Sequence, residues 1–314
     1  MFYTEQLIKR LNSKTGFARK LALKGLLKQQ KHHPEFVPST KNIVPLHYFS
    51  TYYYSLYSPT LCAYDAYRCG SFGVGINDYA TLNFYSEFKQ ACDVLKMPYV
   101  VGYHIECTPL LKEEKTVLYG YGIPNKYCKE IDAELKPLRE EKLKVISTLI
   151  KTINEELRFY DLEVSLKDVL KISKHKKGGT VTEKHVAKVL AESVLDKFNK
   201  KNGVVDFVKN VLLISLNENE ELFIGNRSNV YQVEYLTKVL YNEYCVKKSK
   251  RFLVDYSTYL KLNASYGIIS SYRMDVSKYT DKEFLDAVDL LKKYGFNGIS
   301  FKCESVRFLA YRSL

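Results

Sequence analysis

The sequence predicts an α/β fold, a parallel sheet or βα barrel carrying a mainly helical insertion and preceded by a short helical arm. Three observations predict it. Strand-like and helix-like stretches alternate over residues 43–124 and again over 251–314, the pattern of a parallel sheet or βα barrel. A helix-rich block at about residues 125–250 separates the two stretches, and a Lys- and Leu-rich segment of 44 residues precedes them. The expected organisation is therefore an arm at 1–44 and a barrel domain at 45–314 with its insertion at about 125–250.

Each element follows from period and punctuation. In the arm, Leu7, Ile8 and Leu11, then Phe17, Leu21, Leu23, Leu26 and Leu27, recur at helical spacing with lysines between them. That pattern predicts two amphipathic helices packed on the body, with Leu7, Leu11, Leu21 and Leu26 as the buried stripe. "NIVPLHYF" reads as a strand, "PTLCAYDAYRCG" as a helix ending at Gly70, and "FGVGIND" as a strand. "TLNFYSEFKQACDVLK" is the next helix, followed by strands "PYVVGYHIEC" and "KTVLYGYGI". The longest helix of the insertion is "KPLREEKLKVISTLIKTINEEL". Strands "RFLVDYS" and "YGIISSYRMD", helix "TDKEFLDAVDLLKKYG" and strand "FNGISFKCES" resume the alternation.

Composition narrows the classes. No apolar run approaches the roughly 18 residues of a membrane span, and Met1–Arg10 lacks the apolar stretch of a signal peptide, so a cytoplasmic protein without a membrane partner is expected. Seven scattered cysteines without a C-x-x-C pair exclude a zinc ribbon by spacing and fit reduced, mostly buried thiols. The net charge is +13, and residues 1–44 hold nine Lys/Arg against Glu5 and Glu35, which leaves +6 for the other 270 residues. Nucleic acid binding through the basic arm is the alternative to simple packing. The 27 tyrosines are expected mainly in packing.

The motifs lie in four stretches: "HYFSTYYYSLYSPT" from His47, "INDYAT" from Ile76, "GYHIEC" from Gly102 and "GGTVTEKH" from Gly178. Strand alternation points His47 and Phe49 to one side. In order and wording these stretches resemble the PHP (polymerase and histidinol phosphatase) superfamily of metal-dependent phosphoesterases, and within it a bacterial stand-alone branch with a helical insertion. That branch reads H-x-H-T-T-Y-S-x-x-x-Y-S-P-T, I-x-D-H-D-S, G-V-E-C and G-G-S-V-T-E-R-H. The resemblance runs from about Pro45 to Ile299 and implies a distorted (β/α)7 PHP-like barrel, with ligands at the strand ends holding two or three Mn, Zn or Fe ions that activate water.

On that resemblance the metal ligands fall at His47, Asp78, His104 or Glu106, and Asp255, while Asp78, His185 and Arg273 are candidates for catalysis. The ligand set has gaps. Phe49 stands at the second His of the first motif, Tyr79 and Ala80 follow Asp78, Val117 stands near another usual His, and Tyr272 occupies the place of an A-H-P histidine. No histidine follows His185. A divalent ion needs about four to six donors, so the gaps imply a reduced metal stoichiometry. Two functions stay open: a catalytically impaired PHP-like protein that binds a phosphate-containing ligand or a macromolecule, and a phosphoesterase with one metal held by His47, Asp78 and His104 or Glu106. His185, just inside a helix after "GGTVT", reads either as a structural start residue or as a phosphate contact. Arg273 and Asp275 follow a strand and are expected near the mouth.

Overall fold

The structure, a computed structural model, describes residues 2–33, 38–39, 41–55, 57–198 and 203–301. The chain divides into two compact units, one of residues 1–51, 55–135 and 252–314, the other of residues 52–54 and 136–251.

In the first unit, α1 (Phe2–Arg10) and α2 (Gly16–His32) precede α3 (Pro59–Arg68), β1 (Val74–Tyr79), α4 (Tyr85–Leu95), β2 (Tyr99–Cys107) and β3 (Thr116–Tyr121). The first turns of α5 (Cys128–Leu157) also belong to it. Leu7, Leu11, Leu23 and Leu26 are buried, each worth roughly 1.5–3 kcal/mol of apolar transfer. Leu21 departs from the expected stripe: it and Phe17 lie on the outer side of α2, because Leu23 and Leu26 take the inward arc with Arg19 and Ala22. Buried Arg19 donates Nε to Glu87 Oε1 at 2.8 Å, and Thr60 donates its hydroxyl to the same oxygen at 2.7 Å. This carboxylate joins α2, α3 and α4. The Y-S-P-T stretch opens α3: the Ser58 hydroxyl accepts from Leu61 N at 3.0 Å and Pro59 takes the first turn, where a missing N–H costs nothing.

After the insertion come α12 (Tyr256–Ser265), β4 (Ile269–Met274), α13 (Asp281–Tyr294) and β5 (Gly298–Phe301). The described strands form one mixed sheet in the order β1-β2-β3-β4-β5. β1–β2 and β4–β5 are parallel, whereas β3 is antiparallel to both neighbours. The expected all-parallel pattern fails at β3 because only residues 108–115 separate it from β2. A parallel return needs a crossover of a dozen residues or more.

Two expected strands are reduced to single bridges. "NIVPLHYF" contributes the parallel bridge Tyr48–Ile76, with Pro45 supplying a carbonyl to Gly75 N but no N–H. Gly75 permits this approach, since a methyl there would stand 3.1 Å from Leu46 Cα. "RFLVDYS" contributes the bridge Val254–Cys107 and then stops, because Asp255 turns the chain into α12 as its N-cap. Residues 302–305 of "FNGISFKCES" lie outside the described residues.

The second unit is helical. It comprises the rest of α5, then α6 (Leu166–Ile172), α7 (Glu183–Lys197), α8 (Gly203–Asp206), α9 (Glu218–Gly225), α10 (Gln232–Leu240) and α11 (Val246–Lys248). Its core is built on Ile146, Ile150, Ile153, Val186, Leu190, Leu236 and Leu240. Among the described residues no helix is long and apolar enough to cross a membrane.

Candidate functional site

Register decides which side chains meet, because residues paired across a sheet point to the same face and alternate along each strand. Tyr79 pairs with His104, His104 with Tyr119, and Tyr119 with Ser271, so these four share one face. Glu106, Val117, Tyr121, Arg273 and Ser300 have the same parity. Asp78, Tyr103 and Tyr272 have the opposite parity and face the helices.

The histidine face holds a cluster of rings. His47 stands edge-on to Tyr119 at 4.9 Å between centroids and to Tyr121 at 6.1 Å. Phe49 and Tyr79 each stand 5.4 Å from the His104 ring, and Tyr119 stacks on Tyr121 at 5.6 Å. His47 and Phe49 thus share a side, as the alternation predicts. A polar chain crosses the rings: Ser271 Oγ and Ser300 Oγ are 2.8 Å apart, Ser300 Oγ and Tyr121 Oη 3.3 Å, and Tyr121 Oη and His47 Nε2 3.2 Å. The tyrosines and serines are buried, while His47 and Arg273 are exposed. Tyr119 and Tyr121 were not singled out in the sequence, although "TVLYGYG" places 117, 119 and 121 on one side of a strand.

Arg273 is the charge of this cluster. Its guanidinium lies beside the Tyr119 hydroxyl and acts electrostatically on Tyr119, His47, His104 and Tyr121. Although His47 reaches solvent, partial burial of its imidazole among the rings holds its pKa below the ordinary value, and Arg273 pushes it the same way. His104 donates Nδ1–H to Asn77 O at 2.7 Å. Its pKa falls to about 3, chiefly through burial, against the partial support of that carbonyl and with Arg273, Lys115 and His47 adding to the fall. Burial raises the Tyr119 pKa, and Arg273 opposes the rise. At neutral pH the cluster therefore holds neutral rings beside the Arg273 guanidinium, with the Lys115–Glu106 ion pair on the same face.

The other expected residues lie elsewhere. Asp78, fully buried on the opposite face, accepts from Ser50 N at 2.6 Å and from the Ser50 hydroxyl. Glu106 shares the histidine face but is ion-paired with Lys115. Exposed Asp255 caps α12, accepting from Ser257 N at 3.2 Å. Tyr272 donates to Glu113 at 2.6 Å, and Asp275 caps the turn at Ser277. In the second unit, His185 Nδ1 accepts from Thr182 N at 3.1 Å and contacts Thr182 Oγ1 at 2.9 Å, completing a cap at the start of α7. Its ring lies 5.5 Å from Tyr54, and burial lowers its pKa to about 3.

This donor set does not fit a multinuclear metal cluster. Among the described residues no three His, Cys, Asp or Glu side chains are placed to hold one ion. Asp78 points away from His47 and His104, His47 Nε2 meets Tyr121, and a guanidinium stands where a dication would be repelled.

No protein-family model matches the chain, and no curated protein matches it. Its fold is similar to that of a solved protein from Bifidobacterium adolescentis ATCC 15703, provisionally assigned as a metal-dependent phosphoesterase. The TM-score is 0.52 at 13% identity, over 84% of this chain and 77% of that one. It is also similar to an amidohydrolase from Chromobacterium violaceum solved with bound sulfate and no metal, with TM-score 0.52 at 12% identity over 82% and 75%.

Proposed function

We propose that the chain is a PHP-superfamily protein of the bacterial stand-alone branch whose metal-ligating mouth has become an anion-binding site. In this reading it binds a phosphate-containing ligand and has lost the metal-dependent hydrolysis of that superfamily. In this reading the isolated bridges at Tyr48 and Val254 stand where two further strands of a distorted seven-stranded barrel would run.

The observation that carries the reading is Arg273, an exposed guanidinium on the same face of the sheet as Tyr119 and beside the rings of His47, His104 and Tyr121. A planar fork of donors beside low-dielectric rings suits two oxygens of a phosphate. The Chromobacterium neighbour, solved with sulfate and without metal, is a precedent for an oxyanion in a similar fold. Calorimetric titration of inorganic phosphate into the metal-stripped protein tests the reading: saturable binding is expected, and Arg273→Met should weaken it about 30- to 150-fold.

The competing reading, a phosphoesterase with one metal on His47 and His104 or Glu106, is favoured by the Bifidobacterium neighbour. Hydrolysis of p-nitrophenyl phosphate that depends on added Mn, Zn or Fe and is lost in His47→Ala would establish it instead.

A further inference from the structure

The outer side of α2 carries a feature that packing does not use. At 100° per residue, Lys20, Lys24, Lys28 and Lys31 fall within a sector of roughly 80°, with Phe17 inside the same sector and Leu21 at its margin. Together they form one stripe about 21 Å long. All six are exposed, Phe17 by 74% and Leu21 by 48%. The opposite side, with Ala22, Leu23 and Leu26, is buried, so the stripe is not the helix's packing surface.

Its charge pattern differs from that of three other lysine-bearing segments, whose lysines face a carboxylate. Lys89 pairs with Asp93 on α4, Lys136 with Glu140 on α5, and Lys247 with Glu243 in the second unit, each four residues apart. From Gly16 to His32 there is no carboxylate at all. Lys20, Lys24 and Lys28 repeat at four-residue spacing, where like charges repel and weaken a helix by a few tenths of a kcal/mol per pair. A merely solvated helix face gains nothing from this arrangement, whereas a polyanion laid along it would neutralise the row.

We infer that this stripe binds single-stranded nucleic acid. The lysines, about 6 Å apart along the axis, match a chain of successive phosphates. Phe17 at the amino-terminal end supplies a ring on which an unpaired base stacks. That exposed ring favours a single strand over a duplex, whose bases are already stacked, and the row of charge lacks the broad apolar face that inserts into lipid.

Fluorescence anisotropy of the full chain with a labelled 20-nucleotide oligo(dT) tests this between 50 and 200 mM salt. Four phosphate contacts on a single strand predict a slope of log K against log salt near −3. Lys24→Gln with Lys28→Gln should flatten the slope by about 1.4, and Phe17→Ala should weaken binding about tenfold without changing the slope. All three positions are exposed, and unchanged thermal unfolding confirms that the variants stay folded. Absent binding, an unaltered slope in the double variant, or tighter binding to a 20-base-pair duplex or to phosphatidylserine vesicles would overturn the inference.

Discussion

The two faces of the sheet use the same kinds of side chain in opposite ways. On the helix-backed face three polar groups are closed off by internal partners: Asp78 by Ser50, Tyr103 by Asn263 at 2.7 Å, and Tyr272 by Glu113. On the histidine face the hydroxyls of Ser271, Ser300 and Tyr121 lead instead to exposed His47, beside exposed Arg273. A polar group locked to one internal partner fixes packing, whereas a chain that ends at solvent can be completed by a ligand. The comparison teaches that Asp78, although it looks most like a catalytic carboxylate in the sequence, sits on the structural face.

The largest effect should come from breaking that structural face. Asp78→Ala leaves the Ser50 N–H and hydroxyl buried without their acceptor and should lower unfolding stability by about 3–5 kcal/mol. Urea denaturation reads it, and a loss under about 1 kcal/mol would remove Asp78 from the scaffold. Arg273→Met should do the reverse: phosphate affinity falls about 30- to 150-fold, or about 2–3 kcal/mol, while stability moves by less than about 1 kcal/mol.

Acid should separate the faces next. His104, depressed to about 3 from an ordinary 6.5, contributes stability that is complete above about pH 6.5 and is lost as pH falls toward 3, because the unfolded chain binds the proton first. At pH 5 its share of the loss is about 2 kcal/mol. His104→Phe should flatten the pH dependence of unfolding by that amount, while His185 keeps its own similar contribution. The smallest effect belongs to Tyr121→Phe, which removes the hydroxyl between Ser300 and His47 and should cost about 1 kcal/mol of stability.

Much of the fold was legible because it is local. Ser58 with Pro59, the apolar period of the helices and the alternation of His47 with Phe49 all act over a few residues. The site was legible only in part. Arg273 was expected near the mouth from its place after a strand, but its partner Tyr119 lies 154 residues away. That meeting depends on β3–β4 register, which no local pattern encodes. Asp78 matched a motif by residue type, while the face it occupies follows from β1–β2 register. Leu21 fitted a leucine stripe by eye, yet Leu23 and Leu26 define the inward arc of α2.

The central claim is that Arg273, rather than a metal cluster, supplies the positive charge of the histidine face. Calorimetric titration of phosphate into chelator-treated protein, with metal content measured on the same sample, tests it most directly. The account predicts saturable phosphate binding at less than one metal per chain, unaltered by added Mn, Zn or Fe and weakened about 30- to 150-fold in Arg273→Met. Phosphate binding that appears only when two or more metals per chain are restored, and that is undiminished in Arg273→Met, would contradict it.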